Sequence, residues 1–485
     1  MNWKTISRNV GYALLVSALF MFVSLLIAIF GEEDTAIAPL SISFLLTFIF
    51  GVFPFIFVRK TAAITMREGY VIIVLSWLLS FVFGMLPYVL WGGPFNVINA
   101  WFESVSGFTT TGASILEEVE SLPKALLFWR ASTHFIGGLG VVVFLLLIIP
   151  SSSPMRLRLT NMELSSLSKD SYNVRANQTV YIFTSIYLGM NIAAFLSYLI
   201  AGMVPIDAIC HSFSVCATGG FSSRNLSIAS FNSLPITLVT MFFMYAASLH
   251  FGMLYLTIVT RSLKPLNNDV FKFFTGILVA GSIVVATVLK TEGVVDTWSR
   301  AFMDGSFQLL SYTSTTGFAI CDNSTWPLFP AIMIMVFGVQ CGMAGSTTGG
   351  VKSDRILLVI KSMAVHIKRS INPSTVNEVR LNGKPVSDKD VEPHVLYVAL
   401  FFIVFLVSTL LCLASGADNA NAIMGTLCCL DNVGPAAGTT IGSLGNYNAE
   451  PSMAKFFYTL DMFMGRVEIY PVLAVASFIF TGKKR

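Results

Sequence analysis

The sequence carries little charge for its length. Only 12% of its 485 residues are Asp, Glu, Lys or Arg, whereas 55% are hydrophobic and the mean hydropathy is +0.75. Soluble proteins carry about twice that charged fraction, so these charges are too few to cover a water-soluble particle of this size. The composition therefore predicts a membrane protein. The net charge of only +4 gives no reason to expect a nucleic acid partner.

The sequence also lacks the residue clusters of metal sites and of enzymes. Its seven cysteines are scattered without a CxxC, and its five histidines form no HxxxH or HExxH. We interpret the cysteines as apolar packing residues, not as a disulfide framework. No Rossmann fingerprint or Walker A sequence occurs, so we expect no organic cofactor in this chain. A membrane-embedded enzyme is a weak alternative, because no convergent His, Asp or Ser set is present.

Long apolar runs are the main feature of the sequence. Two runs near the N-terminus, 9–31 and 36–58, are each long enough to span a bilayer. The first is too long for a signal peptide core and ends in Glu32, Glu33 and Asp34, which indicates a retained helix. A pattern of long helix, short helix and long helix then occurs four times. The predicted helices are 70–91, 97–108 and 126–150; 179–201, 206–215 and 234–259; 271–289, 297–312 and 328–360; and 395–413, 419–430 and 454–480.

The predicted fold is therefore an all-α polytopic membrane protein with four tandem helix–pore loop–helix units around a central pore. Two extra transmembrane helices precede the units, which gives ten spanning helices and four half-helices. The implied division is 1–69 for the N-terminal pair, then 70–154, 155–265, 266–368 and 369–485 for the four units. Most basic residues fall in one set of loops, including 352–393, so both termini are expected to be cytoplasmic.

Each short helix leads into a related glycine motif. The motifs recur at intervals of roughly a hundred residues, which is too long for a solenoid repeat and indicates whole structural units. A lone Thr-Thr-Gly is usually an ordinary turn, but four copies in equivalent places are not explained that way. Aligned on one glycine, the motifs are Thr110, Thr111 and Gly112; Ala217, Thr218 and Gly219; Thr315, Thr316 and Gly317; and Asn432, Val433 and Gly434.

The motifs are suited to holding a cation. Backbone inside a membrane must bond to itself unless it borders a wet cavity, so we expect the four segments to share an aqueous axis. Glycine allows successive carbonyls to point one way, and rings of such oxygens replace the hydration shell of an ion. The short helices would also turn their partly negative C-terminal ends toward this axis.

A second glycine-rich stretch, 342–350, interrupts the last helix of the third unit. Glycine costs about 1 kcal/mol relative to alanine in a helix, and a broken helix at membrane depth is tolerated where it borders a cavity. We interpret the stretch as a gate; a tight helix crossing is the alternative. The gate residues are Gly342, Gly345, Ser346, Thr347, Thr348, Gly349 and Gly350.

From residue 70 to the C-terminus, these motifs resemble the Trk/Ktr/HKT superfamily of potassium transporters, and most closely its TrkH-type membrane subunits. The extra N-terminal helix pair is a feature of that branch. The resemblance implies that Gly112, Gly219, Gly317 and Gly434 occupy filter positions. Glycine in all four loops is associated there with potassium over sodium, and serine in the first loop with sodium transport. Asn432 and Val433 depart from the Thr-Thr of the first and third loops, which is expected to weaken selectivity.

The resemblance also implies a role for Arg466, which lies with Asp461 and Glu468 in an apolar run. Charges at membrane depth usually face a cavity or a partner. In the family an arginine here faces the pore below the filter, where it would act as an electrostatic barrier beside the gate. An ion pair with Glu468 of a neighbouring subunit, or with Asp304, is the alternative.

The implied function is potassium uptake across a bacterial cytoplasmic (inner) membrane, with the potassium ion as cargo. The resemblance further implies a homodimer that sits in membrane lipid on a ring of cytosolic RCK-type, TrkA-like nucleotide-binding subunits. These would supply the nucleotide sensing that this chain lacks. A proton- or sodium-coupled secondary transporter is the alternative, and Asp461 and Glu468 are the residues that would support it.

Overall fold

The computed structural model describes residues 1–31, 35–58, 64–148, 176–373, 377–438 and 440–481. Within these ranges the chain is almost entirely helical. The acidic end of the first apolar run, part of the basic-loop residues and the C-terminal basic residues lie outside the described residues. The N-terminal helices are α1, Trp3–Phe30, and α2, Ile37–Phe57.

The four predicted units follow in order. The first contains α3, Met66–Gly84; α4, Leu86–Trp91; α5, Val97–Phe108; and α6, Lys124–Ile148. The second contains α7, Ala176–Ile200; α8, Pro205–Ala217; α9, Leu234–Ser248; and α10, Phe251–Thr260. The third contains α11, Asp269–Thr291; α12, Trp298–Thr313; α13, Leu328–Gln340; and α14, Ser353–Ile371.

A small hairpin separates the third unit from the fourth. Its strands, β1 (Val379–Leu381) and β2 (Lys384–Val386), pair antiparallel with Val379 opposite Val386. The fourth unit then contains α15, Asp388–Ala414; α16, Asn419–Asp431; α17, Ser452–Val467; and α18, Ile469–Thr481. Single-turn 3-10 helices lie at Val119–Ser121, Ser227–Phe231 and Lys264–Leu266.

The four short helices α5, α8, α12 and α16, called the pore helices below, begin at recognisable signals. The side chains of Asn96, Thr297 and Asp418 accept hydrogen bonds from the first turns of α5, α12 and α16. Pro205 opens α8, where its fixed φ suits the first helical position. These local signals explain why each pore helix starts afresh after the preceding long helix.

Six described helices are long and apolar enough to cross a membrane, and the bent pair α9 and α10 adds a seventh. The other three predicted spans correspond to α6 and to two interrupted pairs, α13 with α14 and α17 with α18. Large apolar side chains lie exposed on the spanning helices, for example Phe57 and Ile200. Such exposure is stable only against lipid, so the protein is a multi-pass membrane protein.

The predicted helix 70–91 is divided at Met85 into α3 and α4, and two further predicted helices are interrupted. The predicted span 234–259 bends by 104° between α9 and α10. The freed backbone groups at the bend bind the glycine-rich stretch: Met343 N donates to Ser248 O over 2.9 Å, and Phe251 N donates to Gly345 O over 3.0 Å. The predicted span 454–480 breaks at Glu468, whose φ is +67°. The break in the third unit between Gln340 and Ser353, by contrast, falls where it was predicted.

The N-terminal pair packs through two glycines. A Cβ at Gly11 of α1 would lie 2.7 Å from the carbonyl oxygen of Gly51 of α2. Such close approach of two helix backbones is a common way to hold membrane helices together.

We therefore expect Gly11→Val to destabilise the protein, because overpacking at a backbone contact costs about 1–3 kcal/mol. The measurement is the thermal unfolding temperature of purified protein in detergent. Gly276→Val on α11 is the matched control, since nothing lies within 4 Å of a Cβ there. An equal effect of both substitutions would contradict the tight α1–α2 contact.

Candidate functional site

All four pore helices end in the same backbone motif. The residue after each helix, or one further on, is left-handed, and the next N–H bonds to the carbonyl five residues back. This is the Schellman arrangement, in which the last helical carbonyls are satisfied by the turn. The left-handed residues are Thr110, Thr218, Thr315 and Asn432, with φ of 51°, 56°, 52° and 58°. The bonds are Thr111 N to Ser106 O, Gly219 N to Ser214 O, Thr316 N to Ser311 O and Val433 N to Cys428 O.

The backbone corrects the alignment of the second motif by one residue. Two positions after each left-handed residue stands a glycine with φ between +77° and +86°. In the second loop this glycine is Gly220, not Gly219 as the sequence alignment placed it, and Ala217 lies before the left-handed residue. Gly219 instead matches Thr111. The four structurally equivalent glycines, called the ring glycines below, are Gly112, Gly220, Gly317 and Gly434.

The ring glycines close a circle of four loops. A Cβ built on any of them would fall on a carbonyl oxygen of the next loop, closer than any real contact allows. The order is cyclic, because the first loop meets the second, the second the third, the third the fourth and the fourth the first. The pairs are Gly112 with Gly219 O, Gly220 with Thr316 O, Gly317 with Val433 O, and Gly434 with Thr111 O.

This circle is chemically simple. It brings four neutral carbonyl oxygens together where four helices end, and helix C-termini carry partial negative charge. No group of three or more His, Cys, Asp or Glu side chains that could hold a metal ion occurs among the described residues. Neutral oxygen ligands of this kind suit a monovalent cation that exchanges its hydration shell for carbonyls.

Side chains behind the loops support the circle in different ways. Hydroxyl pairs join Thr109 to Thr111 and Ser314 to Thr316, each over 2.8 Å. In the second loop Gly219 has no side chain, and the ring of His134 fills the space where a Cβ would stand. His134 contacts Ser214 Oγ over 3.1 Å and stacks on Phe221. Sequence reasoning missed His134, since nothing in its local pattern marks it.

The fourth loop, which departs from the Thr-Thr pattern, is tied to the first. Asn432 Nδ2 donates to Thr111 Oγ1 over 3.0 Å and to Met462 O over 2.8 Å. Tyr447 donates its hydroxyl hydrogen to Gly434 O over 2.8 Å. The asparagine therefore links the fourth loop to the first loop and to α17.

The glycine-rich stretch contacts two of the loops at their left-handed residues, where each loop leaves its pore helix. Thr218 Oγ1 donates to Thr347 O over 3.0 Å, and Gly349 N donates to Thr315 Oγ1 over 3.0 Å. Thr347 Oγ1 also donates to Cys216 O over 2.9 Å. Two of the four left-handed residues thus bond to this stretch through their hydroxyls.

The stretch is folded on itself by short polar contacts. Ser346 and Thr348 share a hydroxyl bond of 2.7 Å, and the Lys352 ammonium donates to the Thr348 carbonyl. Ala344 N donates to Asp354 Oδ2 over 2.5 Å, and Ser353 N donates to Gly342 O over 3.0 Å. Gly349 and Gly350 lie against Asp431 at the end of α16. The residues predicted as a gate are therefore together, immediately beside the circle of loops.

Arg466 lies at the same place, 5% exposed. Its Nη1 donates to Thr347 O over 2.6 Å and its Nη2 donates to Gly137 O of α6 over 3.1 Å. The alternative pair with Asp304 is wrong, because Asp304 pairs with Arg300 over 3.5 Å. Within this chain Glu468 pairs with Arg355 over 2.7 Å. Arg466 thus connects the glycine-rich stretch to the first unit.

A multi-pass helical protein with four returning pore loops around one axis, and an interrupted helix packed against them, belongs to the class of cation transport proteins of membranes. Residues 40–483 match the model of the TrkH family, described as cation transport protein. The chain therefore belongs to the TrkH family.

Individual relatives align with this chain along nearly its whole length. It is 30% identical to the Trk system potassium uptake protein TrkH of Salmonella typhimurium, over 98% of each chain. It is also 30% identical to TrkG of Escherichia coli K12, again over 98% of each chain. The crystal structure of the potassium transporter TrkH from Vibrio parahaemolyticus superposes with a TM-score of 0.89 at 29% identity. That match covers 99% of this chain and 100% of the other.

The corrected register of the second loop predicts that Gly220→Ala abolishes most cation flux in proteoliposomes. Its Cβ would fall on Thr316 O while φ stays at +79°. Gly416→Ala is the matched control, because Gly416 has φ of +90° but nothing within 4 Å of a Cβ. Both variants therefore carry the backbone strain of a positive φ. Only Gly220→Ala adds a collision with the Thr316 carbonyl oxygen. Normal flux through Gly220→Ala would show that the register is wrong.

Proposed function

We propose that this chain is the ion-conducting subunit of a potassium uptake system in a bacterial cytoplasmic membrane. The observation that carries the proposal is the closed circle of ring glycines and carbonyl oxygens. The names of the relatives, which are potassium uptake proteins, support the same cargo. Both termini face the cytoplasm in this proposal, because the basic residues concentrate in that set of loops.

The potassium filter consists of the four loops at the circle. An inside-negative membrane potential drives entry, since each charge gains about 2.3 kcal/mol per 100 mV. The ions would pass carbonyls and hydroxyls of neutral residues, so that selectivity depends on the spacing of these oxygens and not on full charges. The filter residues are Thr110, Thr111 and Gly112; Ala217, Thr218, Gly219 and, by backbone register, Gly220; Thr315, Thr316 and Gly317; and Asn432, Val433 and Gly434.

The stretch 342–350 acts as the gate, with Arg466 as its electrostatic barrier. The bond from Arg466 to Thr347 O supports this role, because it places a full positive charge beside the stretch that covers the filter. Opening requires Thr347 O to lose its bonds from Thr218 and Arg466. The gate therefore closes by direct contact with two filter loops.

Regulation comes from cytosolic nucleotide-binding subunits of the RCK type, beneath a homodimer of this chain. The support is the path of α14, which begins next to the gate and runs to the β1–β2 hairpin. Lys361 on α14 pairs with Asp269 over 2.7 Å and donates to Arg380 O over 2.9 Å. Movement of this hairpin would reach the gate through one continuous helix.

A coupled secondary transporter remains the alternative. Asp461 is fully buried at membrane depth and accepts a hydrogen bond of 2.5 Å from Ser408. Ser408 lies on α15, away from the filter contacts, and Glu468 forms an ion pair with Arg355. Stoichiometric proton movement during potassium uptake would favour this alternative over the channel-like proposal.

The proposed filter predicts rubidium-preferring flux into proteoliposomes, with sodium entering more slowly. Gly112→Ser should lose this preference, because its Cβ would fall on Gly219 O and deform the circle. Gly92→Ser is the control, since Gly92 has a similar φ of +83°, against +80° at Gly112, but has open space around it. Flux indifferent to the Gly112 substitution would contradict the assignment of the filter.

The proposed barrier predicts that Arg466→Gln raises rubidium flux through the chain alone by several-fold. The substitution removes the positive charge and weakens the bond to Thr347 O. Arg300→Gln is the control, because it also removes a positive charge, but from a side chain that is 72% exposed. Correctly folded Arg466→Gln protein with unchanged or lower flux would contradict the barrier role.

A further inference from the structure

Each pore helix carries one residue in an equivalent position, seven residues before its left-handed residue. In three units this side chain reaches the segment that follows the ring glycine of its own loop. Glu103 binds Ser114 and Ile115, His211 Nε2 contacts Ser222 Oγ over 2.9 Å, and Gln308 Nε2 donates to Cys321 O over 2.8 Å. The fourth unit has Gly425 there, packed against Tyr458 and Ile441.

The residue of the first unit is the charged member of this set. Glu103 is fully buried and accepts hydrogen bonds from Ser114 Oγ over 3.0 Å and from Ile115 N over 3.0 Å. Ser114 lies two residues after Gly112, and Ile115 lies three residues after it. The carboxylate therefore holds the outer end of the first filter loop.

Arg130 of α6 extends this support to the second loop. Its Nε donates to Glu103 Oε1 over 2.5 Å, and its Nη1 donates to Ser222 O over 2.9 Å. Its guanidinium carbon lies 3.6 Å from the centroid of the Phe221 ring. Ser222 follows Gly220 as Ser114 follows Gly112, so Arg130 and Glu103 together connect equivalent points on two neighbouring loops.

The charge balance of the pair matters as well as its geometry. Arg130, which is 3% exposed, and the two serines line the cavity above the filter. A lone buried cation beside a cation pathway would repel incoming ions. Glu103 neutralises the Arg130 charge, with 2.5 Å between Glu103 Oε1 and Arg130 Nε. The pair therefore cross-links the first two loops beside this cavity without adding a net positive charge.

We propose that Glu103 and Arg130 are positioning residues that set the selectivity of the filter by fixing the first and second loops relative to each other. This inference rests on the proposed potassium function. Neither side chain needs to touch the ion. The pair acts through the backbone beyond Gly112 and Gly220, and hence through the carbonyls that those glycines contact.

The test compares Glu103→Gln, Arg130→Lys and wild type in proteoliposomes for rubidium and sodium flux. Glu103→Gln retains a hydrogen-bond acceptor for Ser114 and Ile115 but leaves the arginine charge unbalanced. Arg130→Lys retains the charge but loses the forked contact with Glu103 and Ser222. Size-exclusion profiles and unfolding temperatures establish that each variant is folded, and Arg300→Gln is the control for loss of an ion pair elsewhere.

We expect both variants to lower the rubidium-to-sodium flux ratio by about ten-fold, which corresponds to about 1.4 kcal/mol of discrimination. Glu103→Gln should also lower total cation flux, because it exposes the pathway to the arginine charge, whereas Arg130→Lys should change total flux less. Folded variants with a wild-type ratio would overturn the inference while leaving the potassium function intact.

Failure of the proposed function has a different signature, because the wild-type protein itself would then show no preference for rubidium over sodium. Should Arg130→Lys not fold, Ser114→Ala carries the test, since it removes one bond to Glu103 and keeps the ion pair. A smaller fall in the flux ratio is then expected. An unchanged ratio in folded Ser114→Ala and Glu103→Gln would overturn the role of the pair.

Discussion

The structure depends on one constraint, which is that backbone N–H and C=O groups at membrane depth must find partners. The chain leaves its helices at four places around one axis, and each place uses the same solution. A Schellman turn satisfies the end of the pore helix. A ring glycine then leaves room for a carbonyl of the neighbouring loop. Because the contacts are cyclic, each loop depends on two others, and the circle forms as a unit.

The same constraint explains the interrupted helices around the glycine-rich stretch 342–350. The bend between α9 and α10 frees Ser248 O and Phe251 N, and these bond to Met343 N and Gly345 O of that stretch. The bend in the second unit and the gap in the third are therefore two halves of one arrangement. Neither would be stable at membrane depth without the other, since each would leave unpaired backbone groups.

The same need for backbone partners also determines which features could be predicted from the sequence. Apolar runs, pore-helix starts and the glycine-rich interruption are local signals, so the order of elements and the fold class followed from them. The register of the second loop did not, because Gly219 and Gly220 are adjacent and only the backbone angles distinguish them. The bend after Ser248 lies in an apolar run in which Ser248 and His250 are the polar residues at the break, and the backbone partners of the bend are in another unit. His134 fills a space created by the missing side chain of Gly219, 85 residues away in the sequence.

The backbone of the circle is nearly fourfold, but the contacts beneath it are not. The glycine-rich stretch binds Thr218 and Thr315, whereas Asn432 binds Thr111 and Met462 instead. A ring of four identical subunits would place the same neighbours under every loop. A single chain can attach the glycine-rich stretch to the second and third loops while the fourth loop holds the first. The Asn432–Thr111 contact therefore does not depend on the contacts that the glycine-rich stretch makes with Thr218 and Thr315.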